Sequence, residues 1–257
     1  MIHHGREPLQ PGGMDMPDPN APKILAADTS TASGSIALLE GERIRFERIL
    51  VSSKTHNRRL LKSIEEALRV VGWELAEVDV FAVTVGPGSF TGLRIGLTTL
   101  KTLAWASGKL FVGVPTLDVL AASLCGCPLP VCALIDAHKK EVYSGVYRFD
   151  GCGGMRRMGP YRAIPIGRVP EIIQERTLFC GEGWLLYRGV LERLLGPLAV
   201  GASAPFHLIR AGILGDLARR RLARGESDDP MTTVPLYIRP SEAELNAPLT
   251  QPDVSPV

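Results

Sequence analysis

The chain has 257 residues, 45% of them hydrophobic and 22% charged, which is enough for one large or two small cores and excludes disorder as the main state. Lys and Arg number 29 against 27 Asp and Glu, so a net charge of +2 supplies no field that would pull the chain onto bare nucleic acid or anionic lipid. The longest apolar runs, such as Ile36 to Leu39 and Val78 to Val85, fall far short of the ~18 residues of a membrane span, and a cytosolic protein with reduced thiols at Cys125, Cys127, Cys132, Cys152 and Cys180 is expected.

Residues 1–22 are rich in Pro and Gly and read as a disordered leader, with His3 and His4 as solvated residues and Met14 or Met16 as alternative starts. The pattern changes at Lys23. An apolar run ends in Asp28, and Ser35 to Leu39 and Arg43 to Val51 follow as strands with Gly41 at the turn, an antiparallel meander. His56 to Val71 has apolar residues at helical spacing. The buried-strand run from Val78 to Val85 then leads through a glycine-rich segment into a helix from about Thr91 to Ser107, and Leu110 to Val114 forms another strand. A helix to about Leu124 opens a second set: strands at Val131 to Ile135, Glu141 to Phe149 and near Tyr161 to Ile166, and a short strand at Leu178 to Cys180. Helices are expected at Pro170 to Glu175, Gly183 to Leu195 and Phe206 to Arg224. Two similar halves suggest a duplicated α/β unit, divided as 23–115 and 116–240, with 241–257 a disordered tail.

Three segments could carry chemistry. Asp28, Thr29, Ser30 and Thr31 gather a carboxylate, hydroxyls and turn amides, a corner able to hold phosphate or magnesium, or equally a plain hairpin turn. Gly86, Gly88, Ser89, Thr91 and Gly92 lie where a buried strand meets a helix N-terminus, which favours anions; no Lys follows as in a Walker loop, and the glycines could instead allow close packing while Ser89 or Thr91 caps the helix. Asp136 ends the first strand of the second half as Asp28 does in the first, so two Asp-tipped strands could face one cleft. His138 beside it reads as a turn residue before an acid/base one. Cys125 and Cys127 lack metal-site spacing, and with no His-Glu-x-x-His and no Gly-x-Ser-x-Gly, neither a metal centre nor a nucleophile is visible. Arg219, Arg220, Arg221 and Arg224 end a helix, where cations are favourable; tRNA phosphate is the competing reading.

Four stretches, Ile24 to Thr31, Gly86 to Gly96, Ile135 to Tyr143 and Pro235 to Arg239, together resemble the TsaB (YeaZ) family over about Lys23 to Arg239, with His138 standing where the family usually has Arg. The resemblance implies a duplicated actin-like, ribonuclease-H-like (ASKHA) fold with two βββαβα-type halves. It also implies a cytoplasmic, non-catalytic subunit of the machinery that makes threonylcarbamoyladenosine on tRNA. The transferase would be a TsaD-type partner, which holds metal with two histidines on the helix matching residues 56–71, where this chain has only His56. A TsaE-type ATPase, tRNA held through the complex and a homodimer when alone complete the implied partners. No cofactor is expected to bind firmly, ATP or ADP with Mg having a place at the interface of the complex.

In that family the helices of the first half pair with a partner. The candidate interface here is Leu60, Ile64 and Leu68 on the first helix with Leu93, Ile95, Leu97, Thr99, Thr102 and Ala106 on the second; the pattern alone allows equally that both faces of the second helix are internal. The alternative function is a free-standing actin-like phosphotransferase or ATP hydrolase using Asp28 and Asp136 around magnesium.

Overall fold

The computed structural model describes residues 21–51 and 60–238. His56, Arg239, most of the leader and the tail lie outside the described residues. Strands β1 (Lys23–Asp28), β2 (Ser33–Glu40) and β3 (Arg43–Val51) form the meander, with Lys23 opposite Glu40 and Asp28 opposite Ser35. After α1 (Leu60–Val71), β4 (Val80–Gly86) pairs parallel with β1, and after α2 (Phe90–Ser107), β5 (Leu110–Pro115) pairs parallel with β4. The first sheet therefore runs β3-β2-β1-β4-β5. Its central strands are buried on both faces, while the outer strand β3 carries Arg43, Arg45, Glu47 and Arg48, charges that suit a sheet edge.

A short helix α3 (Thr116–Ala122) leads to β6 (Val131–Asp136) and β7 (Glu141–Phe149), which pair antiparallel. The third strand of this half is split into β8 (Met155–Arg157) and β9 (Arg162–Pro165), both laid along β7. Strand β10 (Thr177–Cys180) then pairs parallel with β6, α4 (Glu182–Leu195) follows, and β11 (Ala199–Gly201) closes the parallel edge. The order β11-β10-β6-β7-β8 reproduces the first sheet, so the chain is a duplicated actin-like, ribonuclease-H-like α/β fold. Strands β8 and β11 have three residues each, too short for an alternation pattern to register in the sequence.

Alternation along the strands sorts the core into layers. Leu25 and Ala27 of β1 face outward with Phe81 and Val83 and are covered by Leu60, Ile64, Leu68, Leu97 and Leu100 of α1 and α2. Ile24 and Ala26 face the other way, into a core shared by both sheets and filled by Leu117 and Leu120 of α3 and Leu214 and Ala218 of α5 (Ala211–Ala223). On the far side, Trp184 and Leu191 of α4 cover Cys132, Leu134 and Phe179. Helix α5 belongs to the second half in sequence but packs on the first sheet, where Gly212 and Gly215 admit the side chains of Ile44 and Leu39.

Two expected helices differ from the structure. The segment Pro170 to Glu175 is instead a 3-10 turn spanning Ile166–Ile172; Pro170 has no N–H to extend an α-helix. The helix expected from Phe206 to Arg224 is broken: a 3-10 turn Ala204–His207 is separated from α5 by Arg210, whose backbone is extended. His207 anchors that break, buried with Nε2 2.9 Å from the Ala202 carbonyl oxygen.

Candidate functional site: an acidic cleft and an outer helical face

The two meanders bring Asp28 and Asp136 toward each other where the halves meet, near enough that the charges of both act on Glu182. Asp28 is fully buried, and its Oδ1 accepts the N–H of Ser30 (3.1 Å), the Ser30 hydroxyl (2.5 Å) and the Thr84 hydroxyl (2.6 Å). Asp136 Oδ1 accepts the N–H of His138 and the Tyr187 hydroxyl, each at 3.1 Å. The turn beyond it holds His138, Lys139 and Lys140 all at positive φ, a run that L residues rarely adopt. The His138 imidazole lies 3.3 Å from Asp136 but is 84% exposed, as a turn residue would be.

The glycine-rich segment is shaped by contact with the first turn. A Cβ at Gly88 would stand 2.2 Å from the Ser30 carbonyl oxygen, one at Gly92 2.0 Å from that of Thr29, and one at Gly96 2.3 Å from Thr29 Oγ1. The Thr29 hydroxyl donates to the Gly92 carbonyl (2.7 Å), and the Ser89 N–H donates to that of Ser30 (2.7 Å). Ser89 also caps α2 by accepting the N–H of Gly92. Of the two readings of this segment, close packing is the one the geometry favours; the space against the helix start is filled by Thr29 and Ser30. Thr31 bonds Ser33, Thr91 is exposed, and Gly86 faces the returning C-terminal segment, where Leu236 N–H donates to Val85.

The sequence pattern alone did not single out Glu182. It opens α4 between Gly181 and Gly183, and the N–H of Ala32 in the opposite half donates to its carboxylate. Burial, then the charges of Asp136 and Asp28, hold its carboxyl above the usual range, against the Ala32 N–H and His138. A signal was present: Gly-Glu-Gly follows a buried strand as Gly-Pro-Gly-Ser does in the first half.

The expected interface residues divide. Leu60, Ile64, Leu68, Leu93 and Leu97 are buried in this chain's own core and are not surface. The most apolar stripe of a helix is claimed by the sheet beneath it. Ile95 and Thr99 are half-buried, and Thr102 and Ala106 are exposed. Beside them the outer face offers Leu61, Val70 and Trp105, all more than 60% exposed. The C-terminal segment borders this face: Tyr237 stacks on Phe90 at 5.4 Å, Arg94 lies 3.9 Å over Phe90, and a groove of about 500 Å³ runs between α2 and Met231 to Pro235.

The arginine cluster is matched by acids. Arg219 and Arg220 pair with Asp216, Arg221 with Asp228 and Arg224 with Glu226, which favours the structural explanation of these cations over phosphate contact. Among the described residues no three His, Cys, Asp or Glu are grouped to hold a metal ion, and no helix is long and apolar enough to cross a membrane. All five cysteines are unpaired thiols.

Comparison with known proteins places these features. The family model of TsaD, tRNA N6-adenosine threonylcarbamoyltransferase, matches residues 50–159. The tRNA threonylcarbamoyladenosine biosynthesis protein TsaB of Bacillus subtilis is 30% identical over 224 residues, 86% of this chain and 96% of that protein. The protein of the same description from Haemophilus influenzae is 27% identical over 227 residues, 84% and 93% of the two chains. The solved structure of YeaZ from Pseudomonas aeruginosa superposes with a TM-score of 0.73 at 34% identity, covering 84% of this chain and 99% of that one.

Proposed function

Because this chain belongs to the TsaB (YeaZ) family of tRNA threonylcarbamoyladenosine biosynthesis proteins, we propose that it is a non-catalytic subunit that docks on and activates a TsaD-type transferase. The observation that carries the reading is the outer face of α1 and α2. There Thr98, Thr102 and Ala106 are small and exposed, flanked by exposed Trp105, Leu61 and Val70. Small residues let a partner's helix approach closely, and exposed apolar ones give it surface to bury, the makings of a four-helix contact. The TsaD model matches residues 50–159, which include both helices, so a TsaD-type partner would carry a similar pair and could meet this one in a quasi-symmetric way. The same symmetry accounts for a homodimer in the partner's absence.

In this reading a TsaE-type ATPase and tRNA join through the complex, and nucleotide with magnesium belongs to the assembly. Transfer of the threonylcarbamoyl group to tRNA is measured with TsaD and TsaE proteins, with and without this chain. Activity is expected to depend on it; full activity in its absence overturns the reading.

A further inference from the structure

Main-chain N–H groups in turns are the donors that hold phosphate oxygens, and at this cleft six of them are engaged by the chain itself. In the first turn the Ser30 N–H goes to Asp28, that of Ser33 to the Thr31 hydroxyl, and that of Ala32 to Glu182. In the second, the His138 N–H goes to Asp136, that of Glu141 to the His138 carbonyl, and that of Lys140 to the Tyr187 oxygen. The space that a glycine cradle would offer an anion is filled by Thr29 and Ser30. Glu182 is held in place by its neighbours: a Cβ at Gly181 would stand 2.2 Å from the Leu134 carbonyl oxygen, and one at Gly183 3.0 Å from the Leu134 carbonyl carbon. Helix α4 thus starts hard against β6 and reaches the opposite half.

We propose that Glu182 is an internal anion that occupies the Asp28–Ser33 turn and, with Asp28 and Asp136, closes this cleft to polyphosphates such as nucleoside di- and triphosphates. A polyphosphate placed here would displace one carboxylate from its donor and face two more. These residues do not fit a nucleotide's phosphates, and the cleft serves as a joint between the halves. The proposal concerns the isolated chain and does not depend on the reading as an activating subunit.

Isothermal titration of the full chain with magnesium ADP and with inorganic pyrophosphate tests it. The unaltered chain is expected to show no saturable binding. Glu182→Ala is expected to bind pyrophosphate saturably, at least ~10-fold more tightly than the weakest affinity the titration of the unaltered chain would have detected. Glu182→Gln, which keeps an acceptor for Ala32 and removes only the charge, is expected to gain less. A folded Glu182→Ala with no gain overturns the proposal, as does saturable binding of magnesium ADP by the unaltered chain. Should melting curves show the alanine variant unfolded, the glutamine variant decides: a gain supports the plug and no gain overturns it. No partner protein enters these titrations, so a negative result in them leaves the outcome of the transfer assay unaffected.

Discussion

A methyl group on Gly92 would stand 2.0 Å from the carbonyl oxygen of Thr29, a backbone atom that cannot swing aside. Gly92→Ala is therefore expected to cost about 3 kcal/mol in urea unfolding, the upper range for overpacking. Gly72→Ala meets nothing within 4 Å and bears only the strain of its positive φ, so about 1 kcal/mol is expected there. The composition of the segment was legible in the sequence; its use was open, because glycine serves an anion cradle and a tight backbone crossing equally. His207 gives a second prediction at this scale. Burial holds its pKa below the ordinary 6.5, so the folded chain refuses a proton that the unfolded chain accepts. Stability contributed by the neutral ring is present above about pH 6.5 and falls as pH drops below it. Glu182, with its pKa raised from 4.5, works in the opposite sense: its contribution is full below that value and is lost as pH rises through the folded pKa. Melting temperatures across this range should show an acid-side loss for the unaltered chain that His207→Gln reduces.

At the scale of elements, α1 and α2 show what periodicity can and cannot say. The stripe of Leu60, Ile64 and Leu68 was visible, and so was its helix, but a stripe reports burial without naming what buries it. The sheet beneath took it, leaving a less apolar face outward. Leu97→Asp would put a charge into the core at a residue only 4% exposed and is expected to destabilise the chain by about 4 kcal/mol or more. Thr102→Asp changes an exposed position and should leave stability within about 0.5 kcal/mol while abolishing co-elution with a TsaD-type protein. If Thr102→Asp still co-elutes at full affinity, the docking face lies elsewhere.

Across the whole molecule the decisive element is α5, which follows the second sheet in the chain but packs on the first. Leu214 is fully buried there in the core common to the two halves. Leu214→Ala is expected to cost about 3 kcal/mol, and both halves should unfold together at the lowered midpoint, because α5 covers the first sheet and the core it fills is continuous with the inner residues of the second. Two separate transitions followed by tryptophan fluorescence and circular dichroism would contradict that coupling.

The sequence by itself determined the strand runs, the amphipathic helices, the repeat of meander and crossover in two halves, and the four motifs that mark the family, because these depend on local pattern and composition. The tertiary structure alone decided that α5 crosses back to the first sheet, that the glycines admit the backbone of Thr29 and Ser30, and that Glu182 meets a turn 150 residues away in the chain. Such contacts join segments far apart in sequence, and no local period encodes which of several apolar faces or acceptors will find one another.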